Sequence, residues 1–140
     1  VIKVPPNLDD GTPFPTTYWL SCPMYNKKIG SLESTGLIKE LDNQIQKDSI
    51  LKSQWDERQQ SYEAERTKEI DDETTIRPYG GVGGARESIK CLHSHFADQL
   101  ATGKNIVGSI VEELVGGYNC IEPCINEKKM EKNTAWKVEW

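Results

Sequence analysis

The chain has 140 residues, which is the length of one domain, and its composition of 36% hydrophobic and 28% charged residues is typical of a soluble globular protein. The formal charge of −5 argues against a nucleic-acid partner bound by charge alone, because such proteins usually present a basic face. The longest apolar stretch, "NIVGSIVEELVGG", is short and carries two glutamates, so we expect no transmembrane segment.

The N-terminal part of the chain predicts a strand, a turn and a second strand. Val1, Ile2 and Val4 precede the turn-forming stretch "PPNLDDGTP", and the stretch "PTTYWLSC" that follows is rich in threonine and aromatic residues. Cys22 stands at the end of the second predicted strand, directly before Pro23. Strand ends and the loops after them are places where a scaffold commonly presents functional side chains.

Beyond Tyr25 the apolar residues recur at helical spacing. Gly30 and the stretch from Ser34 to Gly36 predict a break between a short helix and a longer one. The residues from 44 to 70 are good helix formers with few apolar positions, so they predict a long polar helix. Such a helix is expected to be a solvated arm or to rest along a partner.

A glycine-rich stretch, "GGVGGA", follows this helix. It lacks the lysine and hydroxyl residues of a phosphate-binding P-loop and does not match a dinucleotide fingerprint. It predicts a loop with positive backbone angles that runs into a helix starting near Arg86 or Ser88. The buried stripe of that helix is expected to contain Ile89, Leu92, Phe96 and Leu100.

The stretch "KCLHSHF" on this predicted helix brings a thiol and two imidazoles close together. In a regular helix Cys91 and His95 share a face, whereas His93 points elsewhere, so helix geometry favours His95 as the partner of Cys91. A thiol placed in the first turn of a helix also has its thiolate form stabilised by the helix N-terminus.

The C-terminal part contains the next predicted helix, from Ile106 to Val115, and then the stretch "YNCIEPCINEKK". Cys120 and Cys124 are held there in a proline-containing turn, and zinc and iron–sulfur clusters both take thiolates from short loops. Together with Cys22 and Cys91 they make a complete four-thiolate ligand set, with His93 and His95 as alternates. Because a chain of this size needs no disulfides, we expect reduced thiols and a reducing compartment, the cytoplasm or an organelle matrix.

The stretches "LDDGTPFPTTYWLSCP" and "IKCLHSHFADQLATGKNIVG", with the cysteine pair near the C-terminus, resemble the DUF501 family, a group of bacterial domains without an assigned biochemical function. The resemblance extends from about Leu8 to Cys124. It implies functional roles for Cys22, for Cys91 with His93, and for Cys120 and Cys124. It therefore favours His93, where regular helix geometry favours His95, and both fit if Cys91 lies in an irregular first turn.

The domain is expected to span residues 1–125, followed by a tail at 126–140. Trp136, Val138 and Trp140 alternate with polar residues in this tail, so we predict a strand whose apolar face covers this domain or docks on another subunit. The expected fold class is α+β: a small N-terminal hairpin packed with about four helices, one of them long and polar, and a C-terminal strand-like tail.

The expected function is that of a non-catalytic metal-binding module, with zinc or an iron–sulfur cluster, that serves as a subunit of a larger protein assembly. One alternative is an enzyme in which Cys91 is the nucleophile, His93 or His95 the base and Asp98 an orienting group. In that alternative Arg77, Arg86 and the glycine loop bind an anionic substrate. A metal-free structural subunit with buried free cysteines is the other alternative.

Overall fold

The structure, a computed structural model, describes residues 1–117 and 120–137 and has an α+β architecture. An antiparallel hairpin of two short strands, β1 (Ile2–Lys3) and β2 (Tyr18–Trp19), precedes a bundle of helices. The helices are α1 (Pro23–Ser34), α2 (Leu37–Lys47), α3 (Ser49–Thr67), α4 (Leu92–Thr102) and α5 (Ile106–Val115), and a 3-10 turn spans Val82–Gly84. A second small hairpin follows, with β3 (Ile125–Asn126) and β4 (Glu131–Lys132).

The N-terminal hairpin confirms the predicted strand, turn and strand. Ile2 pairs with Trp19 and Lys3 with Tyr18, and the pairing continues in a hydrogen bond from the Val4 N–H to the Thr17 carbonyl. Because side chains alternate along a strand, Tyr18 turns towards the helices while Trp19 stays half exposed. The hairpin is tied to α3 where the Thr17 N–H donates to the Tyr62 hydroxyl at 2.6 Å.

The predicted break between the first two helices is confirmed at Thr35 and Gly36. Gly36 has φ of +88°, a left-handed conformation that glycine adopts without steric cost, whereas Gly30 lies inside α1. A second break at Asp48 divides the expected long helix into α2 and α3. Asp48 is extended, and its carboxylate accepts hydrogen bonds from the N–H groups of Ile50 and Leu51, which makes it the N-cap of α3.

One face of α3 is buried although most of its residues are polar, so the expectation of a solvated arm is wrong. The buried positions repeat at helical spacing: Trp55, Arg58, Gln59, Tyr62 and Arg66. Arg58 is buried because Asp98 of α4 accepts its hydrogen bonds. A pattern based on hydrophobicity alone missed this face, since charged residues are seldom buried without such partners.

The glycine-rich loop is organised by the buried guanidinium of Arg66. This group donates hydrogen bonds to the carbonyls of Pro15, Pro78 and Gly80 at 2.8, 3.4 and 2.7 Å. Gly83 and Gly84 have φ of +63° and +75°, which confirms the predicted positive backbone angles. The loop therefore serves the packing of the N-terminal segment against α3.

Helix α4 starts at Leu92, later than the predicted start near Arg86 or Ser88. Cys91 is the extended residue at its N-cap, with φ of −160° and ψ of 122°. Leu92 and Phe96 are buried as expected, but Leu100 is 43% exposed, so it does not belong to the buried stripe. The core lies between the five helices and β2 and contains Leu20, Ile29, Leu41, Ile45, Trp55, Ala85, Ile89, Leu92, Phe96, Ala97, Val107, Val111 and Val115.

The C-terminal segment confirms strand structure in the tail, at β3 and β4. Trp136 is half-buried and lies outside these strands, and the other two residues of the predicted aromatic strand, Val138 and Trp140, lie outside the described residues. Within residues 1–117 and 120–137, the helices are all too short or too polar to cross a membrane.

Candidate functional site: Glu33, Cys91 and His93

Three potential metal ligands meet where α1 packs against the start of α4. Glu33 comes from the last turns of α1, Cys91 is the N-cap of α4 and His93 is in its first turn. One ligand atom from each of the three lies within 4.8 Å of the other two, and the side chains are all half-buried. In the described part of the chain this is the one group of three or more such side chains. We call it the Glu-Cys-His cluster.

Two distances inside the cluster are close to those between the ligand atoms of a tetrahedral zinc ion. The Cys91 Sγ and His93 Nδ1 atoms are 3.7 Å apart, and His93 Nδ1 is 3.3 Å from Glu33 Oε1. Bonds of about 2.3 Å to sulfur and about 2.0–2.1 Å to nitrogen and oxygen place the ligand atoms of a tetrahedral zinc roughly 3.3–3.6 Å apart. The spacing from His93 Nδ1 to each of the other two ligand atoms is therefore close to that around such an ion.

The His93 ring is oriented by a backbone carbonyl. Its Nε2 atom is 3.0 Å from the carbonyl oxygen of Asn26, so Nε2 carries the hydrogen and donates it. This leaves Nδ1 directed at Cys91 and Glu33. Metal-binding histidines are commonly held in this way, with one ring nitrogen on the ion and the other donating to a carbonyl or carboxylate.

The contact between Cys91 and His93 shifts the pKa values of both side chains. Burial by itself raises the pKa of the Cys91 thiol, but hydrogen bonds to the sulfur from His93 and from the Ser94 backbone outweigh it, so this pKa lies below its usual value. Three contacts raise the pKa of His93 to about 9: its hydrogen bond to Cys91, its hydrogen bond to the Asn26 carbonyl, and the nearby charge of Glu33. Partial burial acts in the opposite direction but is outweighed.

A cavity of about 330 Å³ opens beside the cluster. Cys91 and His93 form part of its wall, and the remainder comes from the N-terminal hairpin and the first turns of α1 and α4. The lining residues are Thr16, Tyr18, Trp19, Leu20, Asn26, Cys91, His93 and Ser94. A molecule in this cavity would lie next to the Cys91 and His93 side chains.

The other three cysteines are not members of the Glu-Cys-His cluster. Cys22 is the N-cap of α1, and Cys124 lies just before β3, where its carbonyl accepts a hydrogen bond from the Asn133 N–H. Cys120 is exposed, and its sulfur is 3.4 Å from the Met24 sulfur. All four cysteines are free thiols. The structure thus brings Cys91 together with a glutamate and a histidine, and the four-thiolate ligand set stays a prediction.

His93, and not His95, is the histidine that meets Cys91. Regular helix geometry does not apply to this pair because Cys91 precedes the helix with extended dihedral angles. The His95 side chain is fully buried, stacks on Trp55 at 5.2 Å and approaches the Asn105 Oδ1 atom at 3.1 Å. Burial lowers the pKa of His95 to about 4, so this histidine is a neutral member of the core.

The groups that were expected to support a cysteine enzyme lie elsewhere. Arg77 donates to backbone carbonyls of its own loop, including that of Thr74, and Arg86 stacks on Tyr79 at 4.5 Å. Asp98 binds Arg58 and Asn105, so it does not orient His93. None of these three side chains lines the cavity next to Cys91, as far as the described residues extend.

Sequence reasoning missed Glu33, although one signal could have identified it. Glu33 lies four residues after Ile29, which is fully buried, so both face the same side of α1. A carboxylate on the apolar face of a helix needs a partner, because an unpaired buried charge is costly. The Glu33 Oε1 atom finds one in the Leu92 N–H, which donates to it at 2.7 Å.

Comparison with known proteins places the chain in a family. No curated protein and no solved structure matches it. The family model described as "Protein of unknown function (DUF501)" matches residues 1–113, which include Cys22 and the whole Glu-Cys-His cluster. Cys120 and Cys124 lie beyond the matched residues, although the resemblance had been expected to extend to Cys124. The chain belongs to the DUF501 family.

Proposed function

We propose that this protein is a metal-binding module that holds one zinc ion through Glu33, Cys91 and His93. The observation that supports this most directly is the spacing of the ligand atoms, 3.7 Å from Cys91 Sγ to His93 Nδ1 and 3.3 Å from there to Glu33 Oε1. Thiolate, imidazole and carboxylate are the three ligand types that zinc takes in proteins.

The ligand set favours zinc over an iron–sulfur cluster. Such clusters are usually held by four cysteine thiolates, and the Glu-Cys-His cluster contributes one. The orienting hydrogen bond from His93 Nε2 to the Asn26 carbonyl adds support, because it fixes the nitrogen that faces the ion.

The proposed site is open, which departs from the expected closed structural clip. Structural zinc sites are almost always closed by four protein ligands, whereas sites with three protein ligands leave a fourth position for water or a substrate. The cavity next to Cys91 and His93 is where that fourth ligand would be placed. The ion would also cross-link α1 to α4, since Glu33 belongs to α1 and the other two ligands to the start of α4.

The metal content of the anaerobically purified full chain tests this proposal. We expect about one zinc per chain in the wild type and in Cys22→Ser and Cys120→Ser, and a loss of zinc in Cys91→Ser. Loss of zinc in all three variants would favour the four-thiolate site. A wild-type protein that neither contains zinc nor takes it up would overturn the proposal.

A second candidate function is that of a cysteine-dependent enzyme, favoured by the lowered pKa of Cys91 and its contact with His93. In that case the thiolate is the nucleophile and His93 the proton donor or acceptor. The two candidates differ in one measurement: alkylation of Cys91 by iodoacetamide should be suppressed by added zinc if Cys91 is a ligand. It should be rapid, and unaffected by zinc, if Cys91 is a free nucleophile.

A place in a larger protein assembly stays a prediction. It is supported by two exposed apolar side chains that lie side by side on the N-terminal hairpin, Ile2 at 53% and Trp19 at 50% exposure. Size-exclusion chromatography of the native extract tests it: elution as a complex that Ile2→Ser dissociates is expected, and elution at the mass of the monomer would contradict it.

A further inference from the structure

The cavity beside the Glu-Cys-His cluster has walls of a distinct chemical character. One side consists of consecutive residues of the N-terminal hairpin, the aromatic Tyr18 and Trp19 and the aliphatic Leu20. Thr16 and Ser94, whose side chains carry hydroxyl groups, also line it. Binding sites for small molecules commonly combine a mostly apolar wall with a few polar groups.

No lysine or arginine is among the residues that line this cavity in the described parts of the chain. Arg77 and Arg86, the two arginines that the sequence suggested for binding an anion, make other contacts. Arg77 donates to carbonyls of its own loop, and Arg86 stacks on the Tyr79 ring. Sites that recognise phosphate or carboxylate groups normally provide arginine or lysine for them. The cavity, as far as its lining is described, therefore provides no arginine or lysine for the anionic substrate that the sequence suggested for a cysteine enzyme.

The volume of the cavity limits the size of the ligand. At about 330 Å³ it lies at the small end of the usual range for small-molecule sites, roughly 300–1,000 Å³. This is room for a single ring or a branched aliphatic group attached to a short polar head. The head would lie at the Cys91 and His93 end, and the apolar group along Tyr18 and Trp19.

We propose that this cavity binds a small uncharged carbonyl compound, such as an amide or an ester, whose apolar group packs against Tyr18 and Trp19. Its carbonyl oxygen would take the open position of the zinc ion, so this inference rests on the proposed function of the Glu-Cys-His cluster. The hydroxyl groups of Thr16 and Ser94 would hydrogen-bond the polar head.

Cobalt(II) loading of the full chain provides the test, because the visible spectrum of cobalt bound to a thiolate changes when a further ligand binds. The three probes differ in one feature at a time. Benzamide has a ring and an uncharged carbonyl head, acetamide has the same head without the ring, and phenylphosphonic acid has the ring with an anionic head. We expect benzamide to bind at least tenfold more tightly than either of the others.

The variant Trp19→Ala should reduce the preference for benzamide over acetamide severalfold and leave cobalt binding unchanged. Ile50→Ala, which removes an exposed apolar side chain that does not line the cavity, is the matched control and should change neither quantity. If the protein takes up no cobalt, the proposed metal site itself fails. If cobalt binds but phenylphosphonic acid or acetamide binds as tightly as benzamide, the metal site stands and the proposed ligand class is wrong.

Discussion

Glu33 joins α1 to the first residue of α4, because its Oε1 atom accepts a hydrogen bond from the backbone N–H of Leu92 at 2.7 Å. The same carboxylate lies 3.3 Å from the His93 ring. One side chain therefore satisfies a free N–H at the start of a helix and belongs to the proposed metal site. These two roles can be separated by substitution.

The variant Glu33→Gln should lose metal affinity and keep the fold. The amide oxygen of glutamine can still accept the hydrogen bond from Leu92, but the negative charge that zinc prefers is removed. We expect zinc affinity to fall by at least about tenfold. Substitution of a residue that only hydrogen-bonds a metal ligand already lowers metal affinity by about 10–100-fold. Competition with a chromophoric zinc chelator measures the affinity, and circular dichroism verifies the fold. Unchanged affinity would remove Glu33 from the ligand set.

The variant Arg58→Met should be strongly destabilised. Arg58 and Asp98 are 3% and 0% exposed, and two hydrogen bonds of 2.8 and 2.9 Å join them. Removal of one partner leaves a buried carboxylate without its cation, which costs about 3–5 kcal/mol. Urea unfolding followed by circular dichroism measures this loss.

Lys52→Met is the matched control for Arg58→Met. Lys52 pairs with Asp56 on the same helix, but both side chains are more than one third exposed. Exposed ion pairs contribute about 0–1 kcal/mol, so this variant should unfold at nearly the wild-type urea concentration. Equal losses in the two variants would contradict the assignment of Arg58 and Asp98 as a buried pair.

Two glycines should respond to alanine in opposite directions. A Cβ atom at Gly108 would lie 2.3 Å from the His95 carbonyl oxygen, so Gly108→Ala forces α4 and α5 apart and should cost about 1–3 kcal/mol. A Cβ atom at Gly30 meets nothing within 4 Å, and alanine inside a helix is favoured over glycine by about 0.5–1 kcal/mol. Thermal unfolding should show a lower midpoint for Gly108→Ala and a higher one for Gly30→Ala. A raised midpoint for Gly108→Ala would show that the two helices do not approach this closely.

Glu65 should make stability depend on pH. Its hydrogen bonds from Arg58 hold the pKa of the Glu65 carboxyl below its usual value of 4.5. A carboxyl group whose pKa is lower in the folded than in the unfolded protein stabilises the fold at any pH above its unfolded-state pKa. This stabilisation is lost as the pH falls through the pKa of the folded state. The wild type should therefore be more stable than Glu65→Gln at pH 7, and the difference should shrink below pH 4.5. A constant difference in urea midpoint between pH 7 and pH 3.5 would contradict this assignment.

The sequence by itself determined the local structure and the family. The turn residues predicted the N-terminal hairpin, the spacing of apolar residues predicted the helices, and Gly36 predicted the break after α1, because each depends on neighbouring residues alone. The motif around "KCLH" also singled out Cys91 and His93, which the structure brings to 3.7 Å.

Only the tertiary structure decided which side chains complete the site. Glu33 precedes Cys91 by 58 positions, and it reaches the cluster because α1 packs on the start of α4. The buried face of α3 was likewise hidden, since Arg58 can be buried only where Asp98 lies opposite. The partner of a buried polar group is set by the packing of distant elements, and a local pattern carries no information about it.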